Sequence, residues 1–211
     1  MKEYLKALKH CYEKGTDVDS RAGKVRKSFG FQMNFNLSEG FPAVTTKKLA
    51  WKSVVSELLW FIEGSNDERR LAEVLYEDSR ENLSQKKTIW TQNAESDYWK
   101  PNAKFDGDVG KIYGVQWRNF NGEDQLNNLI GGLKNDPNSR RHIISSWNPP
   151  ELRSMSLPPC HVFSQFFISE NKLSCQLYQR SCDMFLGVPF NIASYSLFTY
   201  MLARECNLEV G

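Results

Sequence analysis

The chain of 211 residues is 40% hydrophobic, 13% aromatic and 25% charged, with a formal net charge of +2. This length suits one domain, residues 1–211, built around one core, and the apolar content excludes disorder of the chain as a whole. A net charge this small gives no support to general binding of nucleic acids or membranes, so we expect any anionic partner to be small.

The cysteine content and the lack of long apolar runs predict a cytoplasmic protein. The five cysteines are odd in number and include no CxxC pair, which favours reduced thiols over a disulfide framework. No segment of the sequence approaches the ~20 apolar residues of a membrane span, and the N-terminus has no long apolar run. We therefore expect a soluble, cytoplasmic protein without a membrane partner.

The first predicted elements are an amphipathic helix and a half-buried strand. Leu5, Leu8 and Tyr12 fall on one helical face before Gly15, which is typical of a helix end. From Phe29 to Leu37 apolar residues alternate with other residues, which predicts a strand with one buried face.

The middle of the chain combines two predicted helices with a polar stretch. Apolar residues from Trp51 to Ile62 predict a strongly buried helix that ends at Gly64. Residues 65–110 are polar and irregular, and we interpret them as a variable surface insertion. The apolar spacing from 126 to 133 predicts another helix.

Three predicted strands and a long helix complete the chain. Residues 142–147, 161–168 and 172–180 have strand patterns, and the last two are joined as a hairpin. A helix begins near Pro189 and carries apolar residues at helical spacing as far as Cys206. The mixture predicts an α+β fold with a mixed, largely antiparallel sheet and packed helices.

Cys160 is a candidate nucleophile, because it follows two prolines and precedes His161 where rigid chain enters a predicted strand. Residue type alone favours a structural role, since a lone cysteine is more often a small buried hydrophobic residue. A thiolate nucleophile needs cationic neighbours, and Arg180, Arg140 and Arg141 are candidates if the fold brings them close.

Glu57 is a candidate acid-base group. It lies three residues after Val54 and four before Phe61 in the predicted apolar helix, so its side chain points inward. Burial raises the pKa of a carboxyl group towards the range useful for general acid-base catalysis. A structural buried acid, hydrogen-bonded to backbone or water, explains the position equally well.

Several arginines indicate where a phosphate could bind. Arg140 and Arg141 suit a bidentate clamp, although a pair that follows a helix is more often solvated. Arg21 lies in a short basic loop, and the pair Arg180-Ser181 places a guanidinium next to a hydroxyl.

Asn191 lies in the first turn of the last predicted helix, where an asparagine is most often a cap. Its amide could instead accept from N3–H of uracil and donate to O4. Cytosine reverses these donor and acceptor demands, so an asparagine in this role favours uracil.

Seven stretches of the sequence, several of them long and diagnostic, share one resemblance. They are Gly40–Lys48, Glu57–Phe61, Thr88–Trp90, Ile112–Arg118, Ser139–Arg141, Pro159–His161 and Gln179–Tyr195. Together they resemble the thymidylate synthase family over nearly the whole chain. The resemblance implies formation of dTMP from dUMP with 5,10-methylenetetrahydrofolate as carbon and hydride donor, giving dihydrofolate. It implies no metal and no NAD(P), consistent with the lack of a GxGxxG turn in the sequence.

The resemblance also implies roles at the reacting base. Cys160 would add to C6 of uracil and make C5 an enolate-like carbon that attacks the folate methylene. Asn191 would orient the pyrimidine, Glu57 with ordered water would manage protons at O4, and Tyr113 would assist removal of the C5 proton. Elimination and hydride transfer from tetrahydrofolate would complete the methyl group.

Further residues are implied for the two ligands. His161 would have a supporting role beside the pocket, and Gln179 would support the nucleophile. The residues implied for dUMP are Arg21, Arg140, Arg141, Arg180, Ser181, Asp183 and Asn191. The residues implied for folate are Lys47, Ile89, Trp90, Leu157, Asp183, Gly187 and Phe190. Arg140 and Arg141 are implied to reach in from the partner subunit of a homodimer formed through the sheet, and binding of its own mRNA follows by family analogy alone.

The sequence departs from the family pattern at three places. Ser20–Arg26 keeps Arg21 but replaces a hydroxyl-rich phosphate loop, and Thr91–Asn93 stands where the family commonly has an acid. The chain ends at Gly211, before a His-x-Tyr pair and a segment that closes over the ligands. Because closure excludes water from the reactive intermediate, we expect weakened or absent turnover of this polypeptide alone.

Two other functions are compatible with the residues. A phage-type dUMP hydroxymethylase shares the nucleophile and the folate but finishes with water instead of hydride, and Asn191 argues only against a dCMP substrate. The second is a catalytically weak, truncated nucleotide- or RNA-binding relic. The altered loop and the missing segment favour that relic, whereas four retained residues oppose it: Cys160, Glu57, Tyr113 and Asn191.

Overall fold

The computed structural model describes residues 1–20 and 23–211. Within those ranges the helices are α1 (Lys2–Lys14), α2 (Trp51–Glu63), α3 (Glu68–Tyr76), α4 (Thr91–Ala94), α5 (Tyr113–Arg118), α6 (Gln125–Asn135) and α7 (Val188–Glu205). The strands are β1 (Thr16–Ser20), β2 (Gly23–Lys27), β3 (Ile143–Ser145), β4 (His161–Ser169), β5 (Lys172–Gln179) and β6 (Glu209–Val210).

The larger sheet has the strand order β3-β4-β5-β6. β4 pairs antiparallel with β3 and with β5, whereas β6 runs parallel to β5. The β4–β5 hairpin turns at Glu170 and Asn171, whose φ angles of 50° and 62° match the left-handed residues of a tight hairpin turn. The expected α+β fold with a mixed, largely antiparallel sheet is confirmed.

One face of this sheet forms the main core. Side chains alternate along a strand, so Phe166 of β4 and Leu173 of β5 point inward and are fully buried. They face α7, where the Phe198 ring packs edge-on against Phe166 at 5.7 Å between centroids. The opposite face of the sheet remains open.

The helices that carry candidate residues begin and end as the sequence indicates. α2 ends at Gly64, which has φ 75°, and a Cβ there would approach the Arg118 side chain to 2.6 Å. α7 has Pro189 in its first turn, where the missing N–H costs no helical hydrogen bond. Gly64 and Pro189 therefore define the C-terminal end of α2 and the first turn of α7.

The predicted strand from Phe29 to Leu37 is wrong. Among the described residues this segment pairs with no strand, and Phe29 is 95% exposed. Its alternation is real, because Met33 packs against the buried cluster around Tyr4 and Val188. An extended segment needs backbone partners to become a strand, and the apolar pattern does not supply them.

Two further interpretations need correction. α1 is present, but it buries Tyr4 and Ala7, while Leu5 and Tyr12 of the predicted apolar face are exposed. Residues 65–110 are not a surface insertion, since α3, α4 and the loops between and after them contribute buried side chains to the core. These are Leu71, Ala72, Leu83, Trp90, Ala94, Trp99 and Val109.

Candidate active site

Cys160 lies immediately before β4, at the edge of the sheet where β5 ends. The Arg180 N–H donates to the Cys160 carbonyl at 3.0 Å, which continues the pairing of His161 with Gln179. The turn after β5 leads directly into α7. Residues that are remote along the chain therefore converge on this corner of the sheet.

The Asn191 side chain is fixed between two neighbours. Gln179 Nε2 donates to Asn191 Oδ1 at 3.2 Å, and Asn191 Nδ2 lies 2.6 Å from His161 Nε2. With the Asn191 amide donating, His161 Nε2 accepts and the ring proton sits on Nδ1. Burial lowers the pKa of His161 to about 4, against the opposing effect of the Asn191 hydrogen bond, so the imidazole is neutral at pH 7.

The Tyr113 hydroxyl faces the backbone of the candidate nucleophile. It accepts from the Cys160 N–H at 2.7 Å and from the His161 N–H at 3.5 Å. Burial raises the pKa of Tyr113 well above its ordinary value, and the nearby Cys160 sulfur adds to that rise. A neutral phenol thus lies beside Cys160 at the start of β4.

Glu57 lies on α2 and receives a hydrogen bond from Trp90. The Trp90 indole Nε1 donates to Glu57 Oε1 at 2.7 Å. Burial raises the pKa of Glu57 to about 6, and the Trp90 hydrogen bond opposes part of that rise. The side chain keeps a small accessible surface, so the carboxyl can still meet a ligand or a water molecule.

Arg180 brings positive charge to the Cys160 sulfur. Its Nη2 lies 3.9 Å from Cys160 Sγ, and its guanidinium donates to the carbonyls of Pro158 and Pro159 at 2.8 Å each. The guanidinium also lies over the Trp147 ring, 5.5 Å from the centroid. The side chain is exposed, so an anion can approach it.

Asp183 organises the turn that leads into α7. Its Oδ1 accepts from the Phe185 and Leu186 N–H groups at 2.8 and 2.6 Å, and its carbonyl accepts from Gly187 N at 3.1 Å. Gly187 forms the N-terminal boundary of α7. This turn forms an exposed surface next to Asn191.

Lys47 contacts the same turn and the start of α7. Its Nζ donates to the Phe185 carbonyl at 3.0 Å and lies over the Phe185 and Phe190 rings, 4.6 and 5.6 Å from their centroids. Ile89, beside the buried Trp90, is 66% exposed. Apolar surface and one cation are therefore available to a ligand here.

The remaining predicted residues lie at the margin of this group or away from it. Leu157 is partly buried and packs against the main core, and Ser181 is exposed next to Arg180. Arg140 and Arg141 are exposed on the loop between α6 and β3. Arg21 lies outside the described residues.

Sequence reasoning missed two aromatic residues of the site. The Tyr195 ring meets His161 edge-on at 5.3 Å between centroids, and Trp147 lies under Arg180. Tyr195 was visible as an apolar position of the last helix, and Trp147 as the end of a predicted strand. Neither signal identifies a partner, because both contacts join segments that are distant in sequence.

Three general features of the chain accompany the site. In the described part of the chain, no three His, Cys, Asp or Glu side chains are grouped so that they could hold a metal ion. None of the helices that the structure describes has both the length and the apolar character needed to cross a membrane. The cysteines, all of them within the described ranges, are free thiols.

The family model for thymidylate synthase matches residues 2–211. The chain belongs to the thymidylate synthase family. Its structure is also similar to the crystal structure of thymidylate synthase from T4 phage, with 45% sequence identity and a TM-score of 0.91. That match covers 100% of this chain and 72% of the phage chain. The chain is thus a methyltransferase of dTMP synthesis, and both matches favour the synthase over the hydroxymethylase.

Proposed function

We propose that this thymidylate synthase methylates dUMP reductively, with Cys160 as nucleophile and 5,10-methylenetetrahydrofolate as co-substrate, in the cytoplasm. The observation that carries the proposal is the convergence at the start of β4. Cys160, the Asn191 amide and the Tyr113 hydroxyl come from three separate segments and are joined through His161 and the backbone of Cys160.

The fixed Asn191 amide supports uracil as the base. One Asn191 N–H is directed at His161, which leaves the other to donate to O4. Oδ1 accepts from Gln179 and has a second lone pair for the N3–H of uracil. A cytosine would require the reversed amide, which would place Oδ1 against the accepting nitrogen of His161.

The groups around the base support the proton transfers. Thiolate attack at C6 moves an electron pair to C5 and O4. C5 then forms a bond to the one-carbon unit. Glu57, with a pKa of about 6, can release or accept a proton near neutral pH at small cost, directly or through water. Tyr113, adjacent to Cys160, would assist departure of the C5 proton as the bond between the methylene carbon and the folate nitrogen breaks. Hydride from tetrahydrofolate would then add to the exocyclic methylene while the sulfur leaves C6.

Methylenetetrahydrofolate supplies the one-carbon unit and the hydride. The exposed Ile89 and the ring of Phe190 offer apolar surface for a pterin, and Lys47 offers a cation for a carboxylate tail. Asp183 and Gly187 shape the turn between these groups and the base. The residues present therefore fit this co-substrate.

The phosphate of dUMP would bind at the cationic end of the pocket. Arg180 and Ser181 lie exposed beside Cys160, and Arg21, outside the described residues, is the further cation that the family resemblance implies for the phosphate. Arg140 and Arg141 are exposed on the loop between α6 and β3, which suits donation to the pocket of a partner subunit. Arginine forks are well suited to bidentate phosphate binding.

The open face of the sheet supports a homodimer. Ile143, Phe163, Phe167 and Tyr178 are 36–58% exposed on this face, and the Phe163 and Tyr178 rings stack at 5.8 Å. Adjacent apolar groups on one surface are typical of an interface between subunits. The Arg140 loop leads directly into β3, so it would lie at the edge of that interface.

Sedimentation of a variant of this face tests the dimer. Phe167→Lys should convert the protein to monomers, because it buries an unpaired charge in the proposed interface. Tyr12→Lys, an equally conspicuous exposed aromatic residue on α1, should leave the dimer intact. A Phe167→Lys protein that sediments as wild type would rule out this interface.

Covalent trapping tests the reaction. The chain is incubated with 5-fluoro-dUMP and methylenetetrahydrofolate, and the adduct is located by peptide mass spectrometry. We expect it on Cys160, its loss in Cys160→Ala, and its retention in Cys182→Ala. With dUMP itself, a methylated product supports the synthase and a hydroxymethylated product contradicts it. Absence of both adduct and folate binding would contradict the catalytic assignment.

A further inference from the structure

A buried ion pair opens α3. Glu68 is 1% exposed, and Arg69 holds both of its oxygens, with Nε donating to Oε2 at 2.5 Å and Nη2 to Oε1 at 2.6 Å. A carboxylate removed from water at this depth is costly unless it is paired and hydrogen-bonded. This pair lies outside the group of residues that would contact dUMP.

Glu68 also accepts two hydroxyls from the loop before α4. Thr88 Oγ1 and Thr91 Oγ1 both donate to Glu68 Oε1 at 2.6 Å. Because each hydroxyl has only one proton, any further hydrogen bond that it makes must be accepted, and each accepts from a backbone N–H. Thr88 Oγ1 accepts from Trp90 N at 3.1 Å, and Thr91 Oγ1 accepts from Thr88 N at 2.8 Å.

Arg69 fixes the approach to the same loop. Its Nη1 donates to the carbonyls of Leu83 and Lys86 at 3.2 and 2.9 Å. The segment that precedes Trp90 is therefore tied to α3 at two carbonyls, and the residues on either side of Trp90 are tied at two hydroxyls. Trp90 itself has its indole N–H on Glu57.

We propose that Glu68 is a positioning residue for thymidylate synthesis: through Thr88 and Thr91 it holds the Trp90 indole against Glu57 and so sets the proton affinity of that carboxyl. The inference rests on the proposed role of Glu57 in proton transfer. Glu68 contacts neither substrate in this scheme, and its effect reaches the site only through the loop.

The surroundings of Glu57 give the direction of the effect. Burial raises the pKa of Glu57, and the Trp90 hydrogen bond lowers it, so release of the indole raises it further. Tyr113 from α5 and Tyr195 from α7 interact electrostatically with Glu57, and burial raises the pKa of both phenols. Both phenols therefore stay neutral near pH 6, and neither masks the loss of the indole.

The test is a titration of Glu57 in the protein without ligands. The enzyme is labelled with ¹³C at the glutamate carboxyl carbon, and Glu57→Gln identifies the resonance. Wild type should titrate with a midpoint of about 6. Glu68→Leu, Thr88→Val and Thr91→Val each remove a hydrogen bond that holds the loop, so they should raise the midpoint by about half a pH unit or more. Thr91→Ser keeps the hydroxyl and should leave the midpoint at the wild-type value.

Glu151→Gln is the matched control. Glu151 also accepts amide hydrogen bonds, from Gln116 and Asn148 at 2.8 and 3.2 Å, but none from the Trp90 loop. The Glu151→Gln substitution should leave the midpoint of the Glu57 titration unchanged. The valine variants keep the Glu68–Arg69 pair, so they carry the test if Glu68→Leu does not fold.

An unchanged midpoint in the folded Thr88→Val and Thr91→Val proteins overturns the proposal, because the carboxylate is proposed to act only through those hydroxyls. An equal shift in Glu151→Gln also overturns it, since the shift would then report general loosening. The outcome is separable from the proposed function. If Glu57 has no part in turnover, Glu57→Gln stays active while the titration still measures the linkage.

Discussion

Replacement of Glu57 by glutamine removes a group that is costly to ionise inside the protein. Burial raises its pKa from the ordinary 4.5 to about 6, so between these values the folded chain binds more protons than the unfolded chain. The stability associated with this raised pKa is fully present below pH 4.5 and is lost as pH rises through 6. The difference corresponds to about 2 kcal/mol, and the residual solvent access of Glu57 reduces it to between about 1 and 2 kcal/mol.

Urea unfolding of wild type and Glu57→Gln, at one protein concentration from about pH 4 to pH 8, measures this difference. As pH rises across this range, the free energy of unfolding of the variant should increase by about 1–2 kcal/mol relative to that of wild type. The change should be centred between the two pKa values. For Glu151→Gln, the free energy of unfolding relative to wild type should decrease as pH rises. The reason is that hydrogen bonds from Gln116 and Lys111 together outweigh burial and lower the pKa of Glu151. A Glu57→Gln difference constant within about 0.5 kcal/mol would refute the reasoning.

Three further predictions follow from the same contacts. The His161 ring should titrate near pH 4, and its contribution to stability should be lost as pH falls from 6.5 through 4, which proton NMR with His161→Gln for assignment can measure. Phe166→Ala should lower the free energy of unfolding by about 3–5 kcal/mol in urea, whereas Tyr12→Ala should change it by less than about 0.5 kcal/mol. Gln179→Leu should lower the kcat/KM preference for dUMP over dCMP about fivefold, since one hydrogen bond that orients Asn191 is lost, and an unchanged preference would contradict that role.

The helix and strand content of the C-terminal half could be predicted because its signals are local. The hairpin of β4 and β5 is encoded by alternation and by Glu170-Asn171, and α7 by its apolar spacing after Pro189. The contacts at the start of β4 then follow from strand pairing, which places Gln179 opposite His161.

The segment from Phe29 to Leu37 shows what alternation leaves out. The pattern fixes which side chains turn inward, and Met33 and Leu37 do so. Whether an extended segment joins a sheet depends on a backbone edge elsewhere in the fold. For Leu37 the partner is the Gly211 carbonyl, 174 positions further along the chain at 2.9 Å from its nitrogen.

The network around Glu68 was hidden for a related reason. Residues 65–110 are polar, and polarity in sequence is typical of a solvated surface. Here the polar groups satisfy one another, so Glu68 and Thr91 are buried at 1% and 6% exposure. Thr91 belongs to the stretch Thr91–Asn93, where the resemblance implied an acid, and the acid that Thr91 contacts comes from α3. Only the tertiary structure pairs these positions.

Desolvation changes the pKa values of Glu57 and His161, on the side of the pocket proposed for the pyrimidine, in opposite directions. It raises the pKa of the Glu57 carboxyl and lowers that of the His161 imidazole, so both are shifted towards their neutral forms. At the other end Arg180 stays exposed and charged beside Cys160. An uncharged pyrimidine suits the first end and a phosphate the second. In the function we propose, this polarity would favour one orientation of dUMP, with the base against Asn191 and the reacting carbon atoms beside the sulfur.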